Sequence, residues 1–203
     1  MSGAPLKAAL ESACRIVSGL RPDDRVAVVT FDSHVDVLQP LTHPTHRDDL
    51  LQRIRAVQSG GSTALFDGWE TGMRQLQGNV SRERIARIIL LSDGDYGASS
   101  SQLSNQTAKV SKQCGQAVDA AKAATSGGTV VYAVAYGSPN SGCSTGDTYN
   151  PCTAMQAIAS DATKFFTTSS TCKINGSANP VTGLPGLFQA ITTTLTKPRL
   201  LPH

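Results

Sequence analysis

Apolar residues recur along the first twenty positions with the period of a helix. In APLKAALESACRIVSGL, residues Leu6, Leu10, Ala13, Ile16, Val17 and Leu20 share one face. Gly19 and the RPDD that follows end it. The pattern then changes. RVAVVTF, from Arg25 to Phe31, is a β-branched run of strand length. After the turn DSH, VDVLQPL sets Val35, Val37 and Leu38 against polar neighbours and ends at Pro40. This predicts a hairpin whose second strand is a half-exposed edge.

THRDDLLQRIRAV reads as a helix with Thr45 at its N-cap. The loop QSGGST leads into a helix over ALFDGWETGMRQLQ, and RIILLS is a second buried strand. The alanine-rich stretch from Lys109 to Thr125 predicts a helix, punctuated by Gly127 and Gly128 before a third buried strand, TVVYAVAYG. A Cys-containing loop, a short helix at TAMQAIAS and a short strand at KFFTT occupy residues 138–183. A closing helix, LPGLFQAITTTLT, and a tail complete residues 184–203. Apolar strands alternating with helices predict one α/β domain over residues 1–203, with a doubly wound, Rossmann-like, mostly parallel sheet and one antiparallel edge strand.

Composition narrows the classes. The chain of 203 residues is 39% hydrophobic and 16% charged, with a net charge of +3 and no basic run. That leaves no nucleic-acid footprint. No apolar stretch reaches the roughly 18–20 residues of a membrane span, and the N-terminus lacks the order of a signal peptide. Five cysteines are present. Cys14 and Cys114 fall in helical segments and read as small buried apolar residues. Cys143, Cys152 and Cys172 lie in polar sequence, where a disulfide among the three suits an oxidising compartment. Their pairing is open, and no C-x-x-C spacing supports a zinc site.

Two loops carry candidate chemistry. One is SGGSTALFDG, with Thr63 behind two glycines at a helix start; the other is SDGDYG, with Asp93 leaving a strand. Strand ends of an open parallel sheet are where ligands bind. Hydroxyl and carboxylate oxygens suit Mg²⁺, Mn²⁺ or Ca²⁺. Taken singly, Thr63 reads as a helix N-cap, Asp93 as a polar strand end, and Asp67 and Asp95 as turn or cap residues.

Together LRPDDRVAVVTFDSHVDVLQPLT, GGSTALFDGW, IILLSDGDYG and VVYAVAYG resemble the von Willebrand factor A domain across nearly the whole chain. In that family a divalent cation sits in a metal-ion-dependent adhesion site (MIDAS) built from a D-x-S-x-S loop, a threonine and an aspartate. The resemblance puts Thr63 and Asp93 at the second and third positions as metal ligands. It implies a non-enzymatic adhesion module whose ion accepts a carboxylate from a partner protein. The first loop is not found, and Met1 falls where its motif would end. The expected fold therefore lacks its central first strand, with that strand, three ligands and any membrane anchor upstream. Each buried backbone group so left unpaired costs about 1–3 kcal/mol against a total stability of about 5–15 kcal/mol. For residues 1–203 alone, two ligands predict weak or absent Mg²⁺ binding. The C-terminal third, GCSTGDTYNPCTAMQAIASDATKFF with Cys172 and LFQAITTTLTKPRLLP, resembles the A domain ending bacterial TadG-type pilus-assembly proteins. That implies an envelope location, on the periplasmic side.

Two rival readings follow from the residues. One is a metal-independent scaffold of the same fold. The other is a serine hydrolase at Ser144, since Gly142 to Gly146 fit G-x-S-x-G; here SPNS separates the motif from its strand and DTYNP delays a helix. His43 and His46 have no acid or Cys cluster beside them and read as a solvated loop. Asn79, Asn105 and Asn175 open chance sequons, and no glycine-rich nucleotide loop occurs.

Overall fold

Leu6, Leu10 and Val17 recur at helical spacing in α1 (Gly3–Ser18), which buries Ala9, Cys14 and Val17. The computed structural model describes residues 3–77, 85–92, 112–135, 143, 147–167 and 172. Gly19 closes α1 by donating its N–H to Arg15 O at 3.0 Å. β1 (Val26–Phe31) then pairs antiparallel with β2 (Val35–Thr42), in the register Phe31↔Val35, Thr30↔Asp36 and Val29↔Val37. Register shifts bracket Val28. Among the described residues β2 pairs with β1 alone, an edge position that tolerates Pro40.

In α2 (Arg47–Arg55), Leu50, Leu51 and Ile54 pack with Cys14 and Val17 of α1 and with Val26 and Val28 of β1. Its N-cap is His46, which makes no side-chain cap bond, so Thr45 is not the cap the sequence suggested. The hydroxyl falls one residue early. α3 (Leu65–Leu76) leads toward β3 (Arg87–Ser92), and α4 (Gln113–Ser126) precedes β4 (Val130–Ala135). α5 (Pro151–Ile158) starts where Pro151 sits at the first turn and Asn150 exchanges capping hydrogen bonds with Thr153. β5 (Phe165–Thr167) follows.

β3, β4 and β5 form a parallel sheet in that order, with Leu90↔Ala133 and Ala133↔Phe165 in register. Successive residues of β4 face opposite ways. Val131 and Ala133 join Leu65, Trp69, Leu90, Val118 and Met155 on one side. Tyr132 and Val134 join Ala8, Ile16, Ile89 and Leu91 on the other. Helices thus cover both faces, the doubly wound arrangement expected, with β2 as the antiparallel strand. No ladder joins β1 to β3 among the described residues, so the strands fall into two sheets, β1-β2 and β3-β4-β5.

Two disulfides close the second half: Cys114–Cys143 and Cys152–Cys172. The second falls within the trio of loop cysteines expected to pair. The first corrects the reading of Cys114, which is buried as expected but is bonded rather than a plain apolar residue. Cys14 is the buried free thiol. The closing helix expected over residues 184–203, and Asn79, Asn105 and Asn175, lie outside the described residues.

Candidate functional site

The loop from Ser59 to Ala64 is tied to the turn between β1 and β2 by a short hydrogen-bonded network. Asp32 O accepts the Ala64 N–H at 2.7 Å. Ser33 Oγ accepts the Ser62 N–H at 2.9 Å and lies 3.2 Å from Ser62 Oγ. The turn is itself closed, because Asp32 Oδ1 accepts the His34 N–H at 2.7 Å. Ser33 is buried, so its hydroxyl is committed to this contact.

The glycines are what allow the approach. Gly61 adopts φ +53°, and a Cβ there would stand 2.0 Å from Ser33 Oγ. A Cβ on Gly60 would come within 3.0 Å of Asp32 Oδ2. Sequence reading singled out the two glycines and Thr63 but missed Asp32 and Ser33. The signal was the DSH turn, read only as a hairpin connection.

Thr63 emerges from this network half-buried. It is not the cap of α3. That position is Ala64, which has no side-chain cap bond, and Thr63 makes no side-chain hydrogen bond among the described residues. Its hydroxyl is therefore available to a ligand. Asp67 is buried in the first turn of α3, where a carboxylate suits the helix dipole. Asp93 and Asp95 lie outside the described residues, as does Ser144. Ser92, which precedes Asp93, is buried at the end of β3 and lines the same cavity as Asp32, Ser62 and Thr63.

What this edge offers chemically is oxygen: one carboxylate at Asp32 and hydroxyls at Ser62 and Thr63, with no Cys or His among them. That donor chemistry fits a hard divalent cation. Its number does not complete a shell, since no group of three or more His, Cys, Asp or Glu residues gathers around a point among the described residues. His43 is occupied elsewhere, with Nε2 3.4 Å from Arg25 Nε and Nδ1 3.1 Å from Pro22 O.

Comparison with known proteins places this geometry. A sequence profile of the von Willebrand factor type A domain matches residues 1–177. A curated protein of Synechocystis, "Uncharacterized protein sll0103", is 25% identical over 95 residues, 47% of this chain and 22% of its own length. The von Willebrand domain of the type V pilus tip protein Mfa5 from Porphyromonas gingivalis superposes with a TM-score of 0.62, at 16% identity, covering 97% of this chain and 91% of that one. Proximal thread matrix protein 1 of the mussel byssus, solved with zinc in a MIDAS motif, gives a TM-score of 0.60 at 20% identity, covering 93% of this chain and 40% of that one. The chain thus spans about a fifth of the Synechocystis protein and two-fifths of the mussel protein.

Proposed function

The chain belongs to the von Willebrand factor type A domain family, and from that premise we propose that it is an adhesion module working through a divalent cation at the Thr63 rim. Domains of this family are generally interaction modules rather than enzymes. Thr63 and Asp93 are the two ligands this chain contributes. The ion, when bound, would offer an open coordination place to a carboxylate on a partner protein. The observation that carries the reading is the state of Thr63. A glycine loop locked to Ser33 and Asp32 presents its hydroxyl without using it as a cap.

The pilus-tip and byssal relatives support a role in attachment, and a TadG-like role in pilus assembly is the finer form of the proposal. Two disulfides support an oxidising, envelope-side location. No helix among the described residues is long and apolar enough to cross a membrane. The scaffold reading has one observation in its favour, the small number of ionisable donors at the rim.

Isothermal titration with Mn²⁺ and Mg²⁺ separates the two. Two protein ligands leave most of about six positions to water, so the expected Kd is no tighter than about 10⁻⁴ M. Thr63→Ala and Asp93→Ala should each abolish that binding. Binding that survives both variants would sink the assignment, and binding that stays absent at millimolar Mn²⁺ with a D-x-S-x-S loop supplied ahead of Met1 favours the scaffold.

A further inference from the structure

α4 begins without a cap of its own. Its N-cap residue, Lys112, makes no side-chain cap bond, so the first N–H groups of the helix need acceptors from elsewhere. One acceptor comes from 32 residues away, where Asp147 Oδ2 takes the Gly115 N–H at 3.0 Å. Glycine suits this approach, since a Cβ at 115 would stand 3.2 Å from Asp147 Oδ1. Just before Asp147 in the chain, Cys143 is bonded to Cys114, the second residue of α4. A covalent bond and a charged cap thus fasten one short segment to one helix turn.

The two disulfides differ in access. Cys152 and Cys172 are buried, at 7% and 2% exposure, and Gln156 Nε2 lies 3.3 Å from Cys152 Sγ and 3.9 Å from Cys172 Sγ. Cys114 is buried at 2%, but Cys143 is only partly buried. Thiol–disulfide exchange needs a thiolate to reach one sulfur, and it runs faster when the sulfur released is a stable thiolate. Cys143 supplies the sulfur that can be reached. Cys114 supplies the one that leaves, at a helix N-terminus whose dipole favours negative charge.

Movement after release is confined to one end of the helices. The other end is pinned separately, because Ser160 Oγ accepts the Val131 N–H at 2.8 Å and lies 3.0 Å from Thr125 Oγ1. α5 also keeps its capping box, its bond to Cys172 and the buried Ala154, Met155 and Ile158. What comes free is the first turn of α4 and the approach to α5. α4 covers about 21 Å at 1.5 Å per residue, matching the roughly 20 Å of β4 that follows it. Its first turn therefore lies at the edge where β3 and β4 finish, with Ser92 opposite Ala135.

We propose that Cys114–Cys143 is a redox latch, opened at Cys143 by a dithiol reductant while Cys152–Cys172 stays closed. A thiolate of the donor attacks Cys143 Sγ. The bond between Cys143 and Cys114 breaks, and its electron pair leaves on Cys114 Sγ, which takes up a proton. The donor's second thiol then closes on the donor sulfur of the mixed disulfide and releases Cys143 as a thiol. The donor is oxidised by two electrons to its own disulfide, and its two protons end on Cys114 and Cys143. With the bond open, any thiolate at Cys114 shares the helix terminus with the Asp147 carboxylate. Like charges there weaken the cap, so covalent release and loss of the cap reinforce each other. The latch does not rest on the cation reading.

The test uses the full chain, undenatured and in EDTA, so that no cation enters the outcome. Dithiothreitol is applied for graded times, new thiols are trapped with N-ethylmaleimide, and the labelled peptides are identified by mass. Cys114 and Cys143 should be labelled at least tenfold faster than Cys152 and Cys172. At the stage where the first pair alone is reduced, amide exchange at Gly115–Ala117 should rise at least tenfold, with Tyr132 and Val134 unchanged. Oxidised glutathione should restore the slow exchange. Asp147→Ala removes the cap and should speed reduction of the first pair at least threefold without affecting the second. Simultaneous reduction of both pairs, or earlier reduction of Cys152–Cys172, overturns the latch. Unchanged exchange at Gly115–Ala117 after selective reduction, or failure to reclose, overturns its action as a switch. An unchanged rate in Asp147→Ala overturns the coupling of cap and bond.

Discussion

At Gly61 the conformation and the space agree on the same residue. The backbone is left-handed at φ +53°, which costs a residue with a Cβ about 1–2 kcal/mol. The added carbon would also collide with Ser33 Oγ, the atom that holds Ser62. Gly61→Ala is therefore expected to destabilise the chain by about 2–3 kcal/mol, with a clash cost of about 1 kcal/mol or more on top of the strain. Gly72 provides the contrast. It lies within α3 with open space for 4 Å around the position a Cβ would take, so Gly72→Ala should stabilise by about 0.5–1 kcal/mol. Urea denaturation of the two variants checks the pair. An unchanged stability in Gly61→Ala would show that the loop relaxes away from Ser33 and that this contact does not govern the site.

At the scale of elements, strands are legible in sequence because a strand buried on both faces must be apolar throughout. RIILLS and TVVYAVAYG announce β3 and β4 for that reason, and the alternation in VDVLQPL announces the exposed edge β2. Caps are less legible. Thr45 and Thr63 each lie before a helix, yet His46 and Ala64 occupy the cap positions because loop geometry starts each helix later. Cys114 was illegible for a different reason. Its neighbours make an ordinary apolar helix, and only the tertiary return of the loop after β4 brings Cys143 to it. The site is legible in its loop at Thr63 but not in the Asp32 and Ser33 support, which depends on two distant turns meeting. The element before β5 allows a pH test. Asp161 caps the turn Ala162–Lys164. Burial pushes its carboxyl upward, but bonds from the Thr163 hydroxyl and N–H, with Lys164 nearby, outweigh this and hold it below its ordinary value. A lowered folded-state value means that stabilisation is full above the unfolded carboxyl pKa of about 3.9 and is lost as pH falls through the folded value. Asp161→Ala should cost about 1 kcal/mol at pH 7, and the gap from wild type should narrow below about pH 4. A gap that is constant down to pH 2 would assign the loss to shape rather than charge.

Across the whole molecule, stability should be unevenly distributed, because the two sheets are built differently. β4 is paired on both edges and buried at five of its six residues, whereas every residue of β1 is only half-buried and one edge is unpaired among the described residues. Both disulfides lie on the β4 side, linking α4 to Cys143 and α5 to Cys172. Their sequence separations of 29 and 20 residues correspond to about 3–4 kcal/mol each in the chain-entropy account. Local opening free energies follow such differences in pairing and burial. Amides of Tyr132 and Val134 should then exchange about a hundredfold or more slowly than those of Val28 and Thr30, a gap of about 3 kcal/mol or more. Reduction with dithiothreitol should shrink this gap by accelerating exchange in β4, α4 and α5 while leaving β1, β2 and α2 nearly unchanged. A uniform acceleration would mean that the two sheets open as one cooperative unit although no ladder joins them among the described residues. Since α1 and α3 pack against both sheets, that outcome would assign the coupling to helix packing rather than to hydrogen bonds between strands.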